Sequence, residues 1–327
     1  MVSTGQLSPA TRIDLMPPAG RPSRVTPPAD ADLACRSADL DTLALRDLAG
    51  AAGWRRPVLL DADLLVLVTG GHGTAELDFR PLPCRPGTLL RVRPGQVLRC
   101  DTRQLDAVVV RWRAGALRDL GVDADGLPAY QQLAGEDEDA VINEVTQLVV
   151  DCRRHPDAPA ARALLRHQLA VLLLRLALLP DPTEGSGAGR RAGSDIFGRL
   201  CQEVERGYRH TRRVEDYAAR LGCSVRTLTR ACLAATGRSA KQVIDERVAL
   251  EARRLLAATD EPIAQIGRRL GFPEPTNFGR FFSREVGMSP GAFRASGAGA
   301  GPGAGSSTWT VRPRRPADPP GRPRRAE

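Results

Sequence analysis

The sequence predicts an α+β fold in which a small β-barrel and two following helices precede an all-helical C-terminal domain. Three observations support this prediction. Short apolar runs broken by Gly and Pro occupy residues 58–112, helical spacing of apolar residues begins near residue 138, and a helix-turn-helix pattern occurs twice after residue 195. A chain of 327 residues has room for two domains of ordinary size.

The N-terminal half begins with residues 1–30, which are rich in proline and poor in apolar side chains, and which we therefore predict to be disordered. The first domain is predicted over residues 31–179. The runs "DADLLVLVTGG" and "DAVVVRW" have strand character, and the segment "GGHG" and two Pro-Gly pairs supply turn signals between strands. Short strands at close spacing predict a barrel or a sandwich.

Two helices are predicted to follow the strands. Val141, Val145, Leu148 and Cys152 recur at helical spacing. The next helix, over residues 161–179, is apolar nearly all round, so another surface must cover it. The barrel, the preceding helix and the same helix of a second subunit are the candidates.

The C-terminal half carries the positive charge of the chain. Gly, Ser and Pro dominate the predicted linker at residues 180–194. Residues 195–296 contain 18 Lys and Arg against 12 Asp and Glu, a net charge of +6, and the low-complexity tail 297–327 contains 6 against 2, a net charge of +4. This distribution indicates a nucleic-acid-binding domain, and a basic surface that serves only solubility is the alternative. The basic tail is predicted to be disordered, and it either contacts phosphates non-specifically or is an inert solvated end.

An internal repeat organises residues 195–296. The stretch "VEDYAARLGCSVRTLTRACLAATGRSA" aligns with "PIAQIGRRLGFPEPTNFGRFFSREVGMSP" when Gly222 is placed on Gly271. Each glycine permits a sharp turn between two helices, and the small residues four positions earlier, Ala218 and Gly267, permit a close helix crossing. Ser224 is the predicted N-cap of the second helix in the first copy.

The second copy and the segment between the copies follow the same logic. Pro275 suits the first turn of a helix, and Glu274 is favoured by the positive end of the helix dipole. Between the copies, Ser239 is the predicted N-cap of a helix of about 20 residues, which spans roughly 30 Å. Its inward stripe is Ile244, Val248, Ala252 and Leu255. The second helices of the two units could then enter successive major grooves.

The second helix of each unit has an inward and an outward face. Leu228 and Cys232 point inward in the first copy, as do Phe278, Phe281 and Phe282 in the second. Arginine and asparagine can make bidentate contacts to base edges, and short threonines let a helix lie close to DNA. The outward residues predicted to contact DNA are Arg226, Thr227, Thr229, Arg230, Thr276, Asn277, Arg280 and Arg284.

These C-terminal residues resemble the AraC/XylS family of bacterial transcription regulators. The resemblance covers residues 195–294 and is carried by "VEDYAARLGCSVRTLTRAC", "VALEARRLLAATDEPIAQIGRRLGF" and "NFGRFFSREVGMSPGAFR". It implies two helix-turn-helix units that bind promoter DNA and often recruit or position RNA polymerase. Matching positions imply that bases are read by Arg226, Thr229 and Arg230, and by Thr276, Asn277 and Arg280. Pro275 departs from the family, whose members often have a polar residue there.

The N-terminal half is similar to the cupin-like effector-sensing domain of the same family, through "DADLLVLVTGGHGTAELDFRPLPCRPGTLLRVRPGQV". This similarity implies a small barrel that senses a small-molecule effector, followed by helices that often dimerise. The helix at 161–179 is the predicted surface of a homodimer. The resulting prediction is a cytoplasmic transcription regulator without a membrane span, whose promoter occupancy changes when an effector binds.

Three other functions are less consistent with the sequence. A metal-dependent cupin enzyme needs several clustered ligands, but His72 is the one histidine in the barrel region, so neither catalysis nor a metal cofactor is expected. His72 is expected to be a turn residue, with a ligand-contacting role as the alternative.

A DNA-alkyl transferase needs clustered cysteines, and the seven cysteines are scattered. A partner-binding protein that does not bind DNA leaves the outward arginines unexplained. A redox-active thiol would require an exposed cysteine of low pKa.

Overall fold

The computed structural model describes residues 35–36, 39–49, 54, 56–101, 104–154, 158–179 and 191–297. The predicted disordered segment 1–30, most of the predicted linker and nearly all of the basic tail lie outside these residues. Within them the strands are β1 (Cys35–Arg36), β2 (Leu40–Ala44), β3 (Val58–Leu59), β4 (Asp63–Gly71), β5 (Gly73–Leu77), β6 (Arg80–Cys84), β7 (Thr88–Val92), β8 (Val97–Cys100), β9 (Leu105–Trp112) and β10 (Tyr130–Gln132).

The strands form two antiparallel sheets. One sheet has the order β1-β2-β9-β4-β7-β10, and the other has the order β3-β8-β5-β6. The long strand β4 is central, because it pairs with β9 from Asp63↔Trp112 to Gly71↔Leu105 and with β7 on its other side. A register shift interrupts the β4–β9 ladder between Val68 and Gly70. The mixed α and β content of the prediction is confirmed.

The predicted barrel is not closed in the described part of the chain, since no ladder there joins the two sheets. The edge strands explain this difference. β6 has the sequence Arg-Pro-Leu-Pro-Cys, and Pro81 and Pro83 have no amide hydrogen with which to pair a further strand. β3 is only two residues long. The sheets pack face to face instead, around a core that includes Val66 and Leu90 of the first sheet and Leu98 of the second.

The other face of the six-stranded sheet packs against two helices, α2 (Gly135–Arg154) and α3 (Pro159–Leu178). Alternate residues of β4 therefore serve two cores. Leu64 and Val66 lie between the sheets, and Leu65 faces the helices. Burial on both sides accounts for the unbroken apolar run in this strand. A four-residue helix, α1 (Leu45–Leu48), and a short 3-10 helix (Ala114–Leu117) complete this domain.

The predicted helical stripes of this domain are confirmed, because all four residues of the stripe in α2 are buried. In α3 one face, including Leu165 and Leu169, is buried against α2 and the sheet. The opposite face is exposed and carries an apolar stripe at intervals of seven, three and four residues. These residues are Leu164, Val171, Leu174 and Leu178, and they are 45%, 47%, 50% and 86% exposed.

The C-terminal domain is helical, and its helices share one apolar core. Its helices are α4 (Arg191–Gly207), α5 (Val214–Arg220), α6 (Val225–Thr236), α7 (Ala240–Ala258), α8 (Ile263–Arg269), α9 (Pro275–Val286) and α10 (Pro290–Ala295). Side chains from all seven helices meet in a single apolar cluster. Throughout the described ranges, the helices are too short or too polar to span a bilayer.

Candidate DNA-binding surface

The two helix-turn-helix units have the same backbone at the turn. In the first, the amide of Gly222 donates to the carbonyl of Ala219, and the amide of Cys223 donates to Ala218. In the second, Gly271 donates to Arg268 and Phe272 donates to Gly267. This pair of bonds is the Schellman motif, which requires a left-handed residue after the helix. Gly222 and Gly271 supply it with φ values of 64° and 78°. The duplicated turn predicted from the sequence is confirmed.

The small residues before each turn allow close packing of the two helices. A Cβ atom added at Gly267 would lie 3.1 Å from the Cβ atom of Phe278 on α9. Ala218, the matching residue in the first unit, is buried, as is Leu228 on α6. The second crossing therefore has no room for a larger side chain, as the alignment predicts, and the first has a small buried residue at the same position.

The repeat continues past the second helices. α6 and α9 both end at a left-handed glycine, Gly237 with φ 75° and Gly287 with φ 85°. Two residues later, Ser239 and Ser289 cap α7 and α10 by accepting a backbone amide hydrogen. Ser239 also forms the reciprocal capping box with Gln242. Each unit is thus a copied run of turn, helix, glycine and cap.

The starts of α6 and α9 differ in their caps. Ser224 caps α6, since its hydroxyl oxygen accepts the Thr227 amide hydrogen at 3.1 Å, as predicted. Glu274 occupies the same position before α9 and forms no side-chain cap, while Pro275 begins the helix. The start of α9 therefore lacks the side-chain acceptor that Ser224 supplies to α6, and the Asn277 amide donates instead to the backbone carbonyl of Glu274 at 3.1 Å.

The structure places the predicted DNA contacts on the outer sides of α6 and α9. Arg226, Arg230 and Arg280 are exposed, and within the described part of the chain they form no salt bridge. Thr276 and Asn277 are also exposed, at the start of α9. Thr227 and Thr229 are half-buried. The five predicted inward residues are buried, so the two faces of each helix are assigned correctly; those residues are Leu228, Cys232, Phe278, Phe281 and Phe282.

Arg284 has a different environment from the other three arginines. Its side chain is exposed but forms salt bridges to Asp245 of α7, at 3.5 Å, and to Glu285, at 2.7 Å. The guanidinium also lies 5.5 Å from the ring centroid of Phe281. Its charge is therefore partly balanced by carboxylates, whereas Arg226, Arg230 and Arg280 are exposed and have no carboxylate partner among the residues that the structure describes.

The helix between the two units, α7, is buried along nearly all of its length. The four residues of its predicted stripe are buried, and so are four charged residues: Asp245, Arg247, Glu251 and Arg254. Arg247 donates to Glu205 of α4 at 2.7 Å and to Glu251 at 3.2 Å, and its guanidinium lies 4.1 Å from the ring centroid of Tyr208.

Glu251 is the centre of this charge network. It accepts hydrogen bonds from Arg247, Arg254 and Arg209. Burial raises the pKa of a carboxyl group, but the three guanidinium groups outweigh it and hold the pKa of Glu251 below its usual value. The network thus joins α7 to the chain segment that precedes α5.

Arg212 connects the two units, although the sequence analysis does not single it out. Its guanidinium stacks 3.5 Å from the ring centroid of Phe272, in the turn of the second unit, and donates to the carbonyl of Gly271 at 3.5 Å. The carbonyl of the nearby Arg209 would lie 3.1 Å from a Cβ added at Gly271. The two adjacent arginines before α5 are a local signal, but the Gly271 partner of Arg212 lies 59 positions away and follows no sequence period.

The cysteines and histidines form no alternative site in the described residues. No group of three metal-ligating side chains occurs there. His72 is exposed in the turn between β4 and β5, as expected, and His155 lies outside the described residues. Burial raises the pKa of the Cys201 thiol to about 12 and that of Cys232 to about 11, and it also raises the pKa of Cys84 and Cys100. A redox-active thiol needs the opposite shift.

Comparisons with known proteins agree with this surface. A family model described as "Helix-turn-helix domain" matches residues 217–296. The chain is 29% identical to the HTH-type transcriptional activator RhaS of Klebsiella pneumoniae over 133 residues, which are 41% of this chain and 45% of that protein. It is 29% identical to RhaS of Citrobacter koseri over 241 residues, 69% of this chain and 82% of that protein.

Solved structures are also similar to parts of the chain. A transcriptional regulator with an AraC-type DNA-binding domain from Chromobacterium violaceum is 24% identical, with a TM-score of 0.31, over 33% of this chain and 97% of that one. The matched family model spans both turn glycines of the duplicated units, Gly222 and Gly271. The chain is a DNA-binding transcription regulator with a helix-turn-helix domain at residues 217–296.

Proposed function

We propose that this regulator binds promoter DNA with the exposed starts of α6 and α9, each placed in a major groove. The observation that supports this proposal is the unpaired state of Arg226, Arg230 and Arg280 on two copies of one helix-turn-helix unit. Arginine without an internal carboxylate partner is free to make the bidentate contact to guanine that specifies sequence. The single shared core supports a fixed spacing between the two units.

The eight predicted residues divide by environment. We assign base reading to Arg226, Thr229 and Arg230 in the first unit, and to Thr276, Asn277 and Arg280 in the second. Thr227 and Arg284 are assigned to phosphate contacts, because the Thr227 hydroxyl is hydrogen-bonded to Ser224 and Arg284 is paired with carboxylates. Phosphate contacts fix the position of the protein on DNA, and base contacts give specificity.

The test starts by selecting bound sequences from a random DNA pool with the full chain. Arg280→Ala is then expected to weaken binding to the selected operator by about 1–3 kcal/mol and to relax the preference at one base pair. Arg206→Ala is the matched control, since Arg206 is an exposed arginine on α4 paired with Glu203. It removes the same charge from a helix that the proposal does not place on DNA. Equal effects of the two variants on affinity and base preference would refute the assignment.

We also propose that the N-terminal domain is a cupin-like sensor of a small-molecule effector and that the bound regulator positions RNA polymerase. The two packed antiparallel sheets and the resemblance of residues 31–179 to the sensing domains of the family support this part. The related RhaS proteins are named transcriptional activators. The test measures operator affinity of the full chain across a set of small molecules. A sensor requires at least one compound that changes this affinity.

A homodimer through α3 completes the proposal. Its support is the exposed apolar stripe of Leu164, Val171, Leu174 and Leu178, whose spacing is that of a coiled-coil seam. The predicted need for a cover over this helix is met on one face by α2 and the sheet, and a second copy would cover the remaining face.

A further inference from the structure

The turn between β5 and β6 extends from the N-terminal domain onto the C-terminal helices. Asp78 and Phe79 are its two central residues, because Leu77 pairs with Arg80 at the end of the ladder. The Phe79 ring centroid lies 5.9 Å from that of Phe293 on α10. The guanidinium of Arg253 on α7 lies 4.2 Å from the Phe79 ring centroid. One side chain of the N-terminal domain therefore contacts both α7 and the last helix.

Asp78 adds a buried ion pair to this contact. It accepts two hydrogen bonds from Arg254 of α7, from Nε and from Nη2, each at 2.8 Å. The two side chains are only 12% and 8% exposed. The same carboxylate accepts from Gln96 at 2.7 Å and from the Val97 amide at 3.2 Å, so it is fixed within its own domain too. A bidentate, charge-assisted pair of this kind gives both strength and a defined orientation.

The backbone of the turn provides an independent observation. Asp78 and Phe79 have φ values of 50° and 65°, so both are left-handed. A two-residue hairpin turn with this backbone favours asparagine followed by glycine, and an aromatic residue is strained there. Such strain persists where the surrounding structure compensates for it. The residues of this turn therefore suit the contact with α7 and α10 better than they suit the hairpin itself.

One face of the hairpin, from the turn to the opposite end, lies in the core between the two sheets. Ala75, Leu77 and Cys84 are buried there. A change in the packing of that core can therefore be transmitted through the short β5–β6 hairpin and displace Asp78 and Phe79. The starts of α6 and α9 are exposed while the turn is docked, so docking does not cover the proposed DNA surface.

We propose that the β5–β6 turn is a latch by which the N-terminal domain controls the DNA-binding domain. Docking of Asp78 and Phe79 on Arg253, Arg254 and Phe293 holds α7 and α10 in the arrangement that binds operator DNA. Release of the turn separates Asp78 from Arg254, and the turn then no longer holds the second unit. The latch rests on the proposed function, since it acts through operator binding.

The test uses the full chain with the double substitution Asp78→Asn and Phe79→Gly. This pair gives the hairpin its preferred turn residues, so the N-terminal domain remains folded while the contacts with α7 and α10 are lost. We expect a larger radius of gyration by small-angle X-ray scattering and an operator affinity at least about fivefold weaker, the lower end of typical coupling between sites. The control is Arg56→Ala, which breaks an exposed cross-domain pair with Asp260 and is expected to change neither quantity.

Three results would overturn the latch. They are an unchanged radius of gyration in the double variant, operator binding that is unchanged or tighter despite a larger radius, and an Arg56→Ala effect equal to that of the double variant. A further comparison separates the latch from the proposed DNA contacts. Arg280→Ala is added to the wild-type chain and to the double variant, and it is expected to weaken operator binding by the same factor in both. If the wild-type chain selects no DNA sequence, the proposed function and the control of DNA binding both fail, and scattering still decides whether the turn docks.

Discussion

At the scale of single residues, two glycines of the second unit have opposite surroundings. A Cβ at Gly267 on α8 would lie 3.1–3.3 Å from three atoms of Phe278, whereas a Cβ at Gly279 on α9 would meet nothing within 4 Å. Both positions are helical. Glycine in a helix costs about 1 kcal/mol relative to alanine, so only the first position has a packing reason for it.

Alanine substitution should therefore separate the two positions. We expect Gly267→Ala to lower the free energy of unfolding by about 1–3 kcal/mol through overpacking against Phe278. Gly279→Ala is the matched control and should raise the same quantity by up to about 1 kcal/mol. Urea unfolding monitored by circular dichroism measures both. A stabilising Gly267→Ala would mean that α8 and α9 cross less closely than the structure shows.

At the scale of helices, the caps of α6 and α9 make the two copies unequal. Ser224→Ala is expected to cost about 1 kcal/mol of stability, because the Thr227 amide loses its acceptor. Glu274→Ser should instead stabilise α9 by up to about 1 kcal/mol, since it supplies the missing cap. Ser224→Gly is the control: it loses the same acceptor, but glycine is itself a tolerated N-cap residue, so the loss should be only a few tenths of a kcal/mol. Thermal unfolding of the wild-type chain and the three variants measures these differences. Equal losses of stability for Ser224→Ala and Ser224→Gly would contradict the assigned role of the cap.

The buried charges of α7 lead to a prediction about pH. Because the pKa of Glu251 is lower in the folded chain than in the unfolded chain, its ionisation stabilises the fold above the ordinary glutamate pKa of about 4.3. This contribution is lost as the pH falls through the lowered pKa. Glu251→Gln should cost about 3 kcal/mol at pH 7, where it removes the buried carboxylate that three guanidinium groups share, and less as the medium becomes more acidic.

Urea unfolding at a series of pH values from 7 to 3 measures this difference. Glu215→Gln is the control, because Glu215 is exposed and only loosely paired with Arg213, at 3.7 Å. Its effect should stay within about 0.5 kcal/mol at every pH. A Glu251→Gln difference that grew on acidification would show that the carboxylate is not stabilised by its arginines.

Local features of these elements could be predicted from the sequence, and long-range features could not. The turn glycines, the cap at Ser239 and the inward phenylalanines follow from the conformational preferences of a few neighbouring residues. The ion pair between Asp78 and Arg254 joins residues 176 positions apart and has no sequence period. Closure of the barrel also depends on pairing between distant strands, and the prolines of β6 were the available signal against it.

At the scale of the whole molecule, α3 leaves an apolar face uncovered. Leu174→Glu is expected to convert the proposed dimer to monomers, because it places a charge in the middle of the stripe. Ala177→Glu is the matched control, as Ala177 is exposed on the same helix but outside the stripe. Sedimentation velocity at micromolar concentration distinguishes the two species. A wild-type chain that sediments as a monomer, or two variants that behave alike, would rule out this interface.

The burial of α7 also bears on how target choice can evolve. Fourteen of its nineteen residues are buried, so its length is fixed by packing on every side. One inserted residue would turn everything after it by about 100° and expose apolar side chains while burying charge. The distance between the two units therefore cannot change by the insertion of single residues into α7. Under the proposed binding mode, substitutions at exposed positions of α6 and α9 would change the target sequence, whereas a new spacing between the units requires rebuilding the core.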